Sequence, residues 1–210
     1  MRFKNRIEAG QKLAQALAEY QGQGAAVYAL PRGGVVLGHE IAKKLGAPLD
    51  LVITRKIGHP LEREYAVCAI AEDGHTLCDE AELALLDKKW LKNEFEKEQK
   101  EAKRRRKVYL EDRKPLSAEN KIAIIVDDGI ATGLTMLLAI SEIKHQRPRK
   151  IVVAVPVVPK DIAPKIKKEA DELVVLEIPE IYLYAVGAYY ENFPQVEDEE
   201  VIELLKIKQN

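Results

Sequence analysis

Two cysteines, one tryptophan and three phenylalanines in 210 residues leave this chain without the means for several architectures. Two thiols cannot staple a disulfide scaffold or complete a four-cysteine zinc site. Cys68 and Cys78 flank Asp73-Gly74, a hairpin signal that would set them near one another on paired strands, and in a cytosolic chain they are expected to stay reduced. No apolar run is long enough to span a bilayer, and no basic segment followed by an apolar stretch opens the sequence as a secretory signal would. The expected location is therefore cytoplasmic, with no membrane partner. Neither sign of charge prevails: 33 Lys and Arg against 34 Asp and Glu give a formal net charge of −1, so no overall field draws the chain to nucleic acid or to acidic lipid. Internal repeats and low-complexity linkers are also missing. What remains is a chain with 47% apolar residues, enough to fill the core of one domain over residues 1–210.

The richest stretch is Ile122 to Thr135, IAIIVDDGIATGLT. Ile122 to Val126 form a continuous apolar run, the pattern of a strand buried on both faces. The chain then turns polar at Asp127-Asp128 and passes through Gly129, Ile130, Ala131, Thr132 and Gly133 into a helical pattern that begins with Leu134 and Thr135. Small residues there let a ligand approach the backbone, and the free N–H groups at a helix start attract phosphate. The loop lacks the Lys of a Walker A sequence and the closely spaced glycines of a dinucleotide fingerprint. Its acids precede the loop instead, where carboxylates would reach two vicinal hydroxyls on a sugar attached to the phosphate.

Val126 to Thr135, VDDGIATGLT, resembles the signature of type I phosphoribosyltransferases, which bind 5-phosphoribosyl-1-pyrophosphate. The resemblance implies a parallel-sheet α/β fold of that type, with a helical insertion and a small C-terminal hood. It also implies that Asp127 and Asp128 hold the ribose hydroxyls, and that Gly129 to Gly133 with Thr135 wrap the 5-phosphate.

A second unit of strand, turn and helix occurs at Val27–Leu30, Pro31-Arg32-Gly33-Gly34 and Val35–Leu45. Its paired glycines and Arg32 suit either an ordinary turn or a second anion site. It resembles the family's pyrophosphate loop, in which a cis non-Pro peptide often occurs. The next apolar run, Leu49 to Thr54, leads into Arg55-Lys56, two cations expected at a strand's C-terminal end, facing the ligand crevice of the sheet. Ile57 to Tyr65 resembles the mobile loop that closes over such a site; His59 within it reads as an ordinary loop histidine.

Further along, Val186-Gly187-Ala188-Tyr189-Tyr190-Glu191-Asn192-Phe193 reads either as core packing or as a wall for a planar ring. The pattern resembles the hood segment that holds the base, which implies roles for Val186, Tyr189 and Tyr190 and a hood over about 179–210. Additional strands are expected at Ile151–Val155, ended by Pro156 and Pro159, and at Leu173–Ile178, with an N-terminal helix over Asn5–Tyr20. Glu80 to Arg113 reads as an inserted helix or helical hairpin with Leu83, Leu86, Trp90 and Phe95 on one face, suited to cover the site or to pack on a second subunit of a homodimer. Its basic run Lys103–Lys107 reads as a solvated helix face rather than an RNA contact.

The chemistry implied by the resemblance is displacement at the anomeric carbon of phosphoribosyl pyrophosphate by a ring nitrogen of a heterocyclic base, as in nucleotide salvage. Mg²⁺ carried by the ligand, and held in part by Asp127 and Asp128, would act with Arg32, Gly33, Gly34, Arg55 and Lys56 on the leaving pyrophosphate. The catalytic set is then Asp127, Asp128, Arg55 and Lys56. No covalent nucleophile is required, because positioning and electrostatics carry such a reaction. The alternative is a regulatory protein that senses phosphoribosyl pyrophosphate without turning it over.

Overall fold

Five parallel strands, buried on both faces except for the half-buried edge strand Glu172–Glu177, build the centre of the computed structural model, which describes residues 2–63, 65–111, 113–183 and 185–206. They are β1 (Ala25–Ala29), β2 (Leu49–Leu51), β6 (Ile122–Val126), β7 (Lys150–Val157) and β8 (Glu172–Glu177), ordered β2-β1-β6-β7-β8 with every pairing parallel. Strand alternation explains why the runs are apolar throughout. Val27, Ala29, Ile122, Ile124, Val126, Val152 and Ala154 face one core; Ala26, Tyr28, Ala123, Ile125, Ile151, Val153 and Val155 face the other. The first core is covered by α1 (Arg6–Ala16), α2 (Gly33–Leu45) and α7 (Asp198–Lys206), the second by α5 (Leu134–His145) and α6 (Ala163–Glu169). Truncating a side chain such as the fully buried Ile125 to Ala would cost about 2–5 kcal/mol.

Local signals set the element ends. The Asn5 side chain accepts from the Glu8 N–H at 2.9 Å and starts α1. A left-handed Gly46 ends α2, its N–H returning to the Ala42 carbonyl. Pro156 lies inside β7 rather than ending it. The β6 ladder stops at Val126 opposite Ala154, so a residue without an N–H beyond that point forfeits no bond to β6.

The expected strand through Arg55-Lys56 divides in two. β2 stops at Leu51, and Thr54–Gly58 form β3 of a separate antiparallel sheet with β4 (Ala66–Ala71) and β5 (Thr76–Cys78), in the order β3-β4-β5. Arg55 and Lys56 therefore sit within β3 and not at the C-terminal end of a parallel strand. The apolar periodicity of residues 49–54 carried no mark of the change of sheet. Residues 59–63 and Tyr65 bridge β3 and β4, with the His59 N–H bonded to the Tyr65 carbonyl at 2.8 Å. Glu64 of that loop and residues 207–210 of the hood lie outside the described residues.

Cys68 and Cys78 are cross-strand partners, as the Asp73-Gly74 turn implied, but they are joined as a disulfide and not held as free thiols. The insertion is helical, as expected: α3 (Glu80–Leu83) and α4 (Lys88–Leu110), the latter capped by Asp87 on the Trp90 N–H. Leu86, Trp90, Leu91 and Phe95 pack against Ile57, Cys68 and Ile70, so α4 covers one face of the small sheet, while Leu83 is exposed. The basic run is not simply a solvated face. Arg104 reaches Glu101 and Asp198, Arg105 reaches Glu101, and Arg106 reaches Glu72 and the Leu51 carbonyl, tying α4 to α7, β2 and β4. Among the described residues no helix is long and apolar enough to cross a membrane.

Candidate active site

β6 delivers Asp127 and Asp128 to the carboxyl edge of the parallel sheet, at its centre, and the chain continues through residues 129–133 into α5. Gly133 caps α5 with φ 83°, a left-handed conformation that disfavours other residues. The loop is closed from below by the Ile130 N–H bonding to the Val157 carbonyl at 2.9 Å. The first-turn N–H groups of α5 thus border the loop without a side-chain cap, the arrangement that suits a phosphate.

The two carboxylates are desolvated and close together. Asp127 accepts from the Asp128 N–H at 2.8 Å, and its carboxyl is pushed well above the usual carboxylate range, first by burial and then by the negative charge of Asp128. Asp128 is raised by burial against the opposing pull of Arg6, whose Nε lies 2.7 Å from Oδ2. Arg6 is itself fixed: a second guanidinium nitrogen bonds the Pro194 carbonyl at 2.6 Å and the group lies 3.6 Å over the Phe193 ring.

The Pro31-Arg32-Gly33-Gly34 turn packs directly on this pair, and the Pro31–Arg32 peptide bond is cis, as the resemblance implies. A Cβ at Gly33 would fall 1.8 Å from Asp128 Oδ2, so only glycine permits the two segments to meet. The structure therefore brings together Asp127, Asp128, the 129–135 loop and Gly33-Gly34.

The cations are distributed differently. Arg32 points to Glu197 and Asp198 at 3.3 and 3.6 Å. In β3, Thr54 and Lys56 share a face; Thr54 Oγ1 lies 3.5 Å from the Thr135 carbonyl, and Ala69, the partner of Lys56, packs on Leu138 of α5. That places Lys56 on the face of the small sheet that meets α5. Arg55 alternates to the opposite face and bonds Glu98 of α4 at 2.7–2.8 Å. It lines a cleft of about 300 Å³, which Lys56 also borders, with His59, Arg63, Trp90 and Lys97; no residue of the Asp127–Thr135 segment lines that cleft.

In the hood, Val186–Tyr189 form a 3-10 turn, with Tyr189 and Tyr190 buried and Val186 partly so. The Tyr190 hydroxyl donates to the Asp128 carbonyl at 2.6 Å, and Tyr189 accepts from the Leu183 N–H at 2.9 Å. Tyr189 stacks on Tyr182, 5.5 Å between centroids. The Tyr182 hydroxyl is buried without a hydrogen-bond partner and is pushed up to about 12 by burial, with the charges of Tyr189 and Asp128 adding to the shift. Sequence reasoning missed Arg6, Glu98 and Tyr182. Arg6 and Glu98 carry a weak signal, a charge on the inward face of an amphipathic helix; Tyr182 lies in an irregular segment and carries none.

A carboxylate pair that repels itself when both members are ionised is a donor set suited to hydroxyl groups and to a divalent cation's oxygen shell. Comparison with known proteins agrees with the family resemblance of the sequence. The phosphoribosyl transferase domain family matches residues 3–191. Two Mycobacterium tuberculosis proteins, from strains CDC 1551 and H37Rv and each bearing the name "Putative phosphoribosyl transferase", are 40% identical over 205 residues, 97% of this chain but 46% of theirs. The chain thus spans about half the length of these curated relatives. A crystal structure from Thermus thermophilus superimposes with a TM-score of 0.80 at 38% identity, over 98% of both chains.

Proposed function

Because the chain belongs to the phosphoribosyl transferase domain family, we propose that it moves the 5-phosphoribosyl group of phosphoribosyl pyrophosphate to a ring nitrogen of a nucleobase or related heterocycle and releases pyrophosphate. The observation that supports this reading is the contact of the two Gly turns: Gly33 lies against Asp128, which immediately precedes the loop leading to the uncapped N-terminus of α5. That spacing suits a ligand with a phosphate at each end of a ribose.

In the proposed mechanism, the 129–135 backbone and the Thr132 and Thr135 hydroxyls hold the 5-phosphate. Asp127 and Asp128 accept from the ribose hydroxyls and balance the positive charge that grows on the ring as the C1–O bond lengthens. Arg6 orients Asp128 from behind. The Gly33-Gly34 N–H groups, with Arg32 and Lys56, meet the negative charge that collects on the departing pyrophosphate. Arg32 has to leave Glu197 and Asp198 to do so, and Arg55 joins only on leaving Glu98. Asp127 and Asp128 would contribute to holding Mg²⁺, which supplies charge neutralisation on the pyrophosphate oxygens. Val186, backed by Tyr189 and Tyr190, borders the base, with Tyr182 contributing the unpaired hydroxyl. A homodimer, a cytoplasmic location and a place in nucleotide salvage complete the proposal.

A second reading has one observation in its favour. Arg32 and Arg55 are both held in ion pairs, with Glu197, Asp198 and Glu98, which suits a protein that senses phosphoribosyl pyrophosphate and does not cleave it. Incubating the chain with phosphoribosyl pyrophosphate, Mg²⁺ and a panel of purines, pyrimidines and nicotinic-type heterocycles separates the two. Base-dependent pyrophosphate release supports the transferase; tight binding with no release for any acceptor supports the sensor.

A further inference from the structure

At the far end of α5 from the phosphate loop, about 17 Å away at 1.5 Å per residue, the turn between β4 and β5 meets the last turn of the helix. His75 stands in that turn, its Nδ1 2.9 Å from Asp73 Oδ2 and 3.0 Å from Glu142 Oε1. His145 is the last residue of α5 and follows Glu142 by three positions, so the two side chains share a face. The His75 and His145 rings stack with centroids 5.4 Å apart. One ligand atom from each of His75, Glu142 and His145 lies within 4.8 Å of the others. None of these groups belongs to the phosphoribosyl site.

We propose that His75, Glu142 and His145, with Asp73 beside them, bind a divalent transition-metal ion of the zinc type that fastens the β4–β5 hairpin to α5. Two imidazoles select such an ion over Mg²⁺ or Ca²⁺, which prefer an all-oxygen shell. Metal–nitrogen and metal–oxygen bonds of about 2.0–2.2 Å put tetrahedral ligand atoms about 3.4 Å apart. The most widely separated of the three atoms therefore need to close by at most about 1.4 Å. His75, with its side chain 61% exposed, has room to move. The contact between His75 Nδ1 and Glu142 Oε1, 3.0 Å, is already close to that tetrahedral spacing.

The backbone supporting the ligands is fixed from both sides. The Cys68–Cys78 disulfide closes the hairpin, and Ala69, Ala71 and Leu77 pack it onto Leu134 and Leu138 of α5. The C-terminal end of a helix is also the end whose partial negative charge favours a cation. Asp73 supplies a fourth ligand, or orients His75 from the second position.

The test uses the full chain without a polyhistidine tag, dialysed against a chelator and titrated calorimetrically with zinc(II) and, separately, magnesium(II). One equivalent of zinc is expected, with a rise in melting temperature, and no stoichiometric magnesium in the absence of other ligands. His75→Ala, His145→Ala and Glu142→Gln should each weaken zinc binding at least tenfold. Both histidines are exposed, so the metal-free variants should melt close to the metal-free wild type. His59→Ala should bind zinc as the wild type does. Absence of stoichiometric zinc binding, or retention of it in the His75→Ala, His145→Ala double variant, would overturn the proposal.

Discussion

Replacing Asp127 by Asn should stabilise the empty protein and weaken its ligand, two effects of opposite sign from one oxygen-to-nitrogen exchange. The Asp127 carboxyl is raised well above its ordinary value, first by desolvation and then by Asp128. A carboxyl raised in the folded state contributes stability that is full below its unfolded value, about 4, and is lost as pH rises through the folded value. As pH rises above about 4 the wild type gives up that contribution, and an amide at the same position does not. The amide removes both the like charge beside Asp128 and the ionised carboxyl from a buried site, an effect on the order of 2 kcal/mol. The amide can still accept from the Asp128 N–H. A net gain of about 2 kcal/mol would raise the melting temperature by about 4–8 °C for a chain of this size, and the gain should vanish below about pH 4. Loss of one charge-assisted hydrogen bond to ribose should weaken phosphoribosyl pyrophosphate about 10–100-fold. Thermal unfolding across pH, paired with calorimetry in Mg²⁺, reads both. A variant that melts lower than wild type at neutral pH and binds the ligand equally well would refute the reading of this pair.

Gly33→Ala must push Asp128 aside, given a Cβ 1.8 Å from its Oδ2, and should lower turnover about 100-fold while the fold survives; wild-type kinetics would mean that the two turns need not touch. Glu98→Gln should release Arg55 from α4 and tighten Mg-pyrophosphate severalfold by calorimetry, whereas unchanged affinity would mean that Glu98 does not hold Arg55 away from the anion. Glu101 is depressed to about 2, chiefly by its hydrogen bond to Arg104; that stability is present above pH 4.5 and lost as pH falls toward 2. Glu101→Gln should therefore cost about 1 kcal/mol at pH 7 and nothing at pH 2, as chemical denaturation at the two pH values would show. Deleting residues 59–63 should reduce transfer far more than binding if that loop closes over the site; equal losses of both would make it a binding wall.

The central strands were legible because burial on both faces leaves a continuous apolar run, as at Ile122–Val126, and a run ending in Asp-Asp and a small-residue loop has few other uses. The turn at Gly33 could be read for the same reason: a close backbone approach leaves glycine in the sequence. The small antiparallel sheet was not legible. Residues 49–58 are apolar and then cationic whether they form one strand or two, and the break depends on β4 and β5, far along the chain. Arg6 and Glu98 were missed because one inward charge on an amphipathic helix looks like noise until its partner, Asp128 or Arg55, is placed against it. The nearness of Cys68 and Cys78 followed from the hairpin turn at Asp73-Gly74, but the disulfide did not, because the expectation of free thiols rested on compartment alone.

Phosphorus NMR of phosphoribosyl pyrophosphate with Mg²⁺ and an acceptor base, followed in the presence of the wild type and of the Asp127→Asn, Asp128→Asn double variant, bears most directly on the assignment of this site. Displacement at C1 should replace the two pyrophosphoryl resonances of the substrate by the single resonance of free pyrophosphate, keep the 5-phosphate as a monoester, and do so only with the wild type. A spectrum unchanged by the wild type for every acceptor, or turnover equal in the double variant, would contradict it.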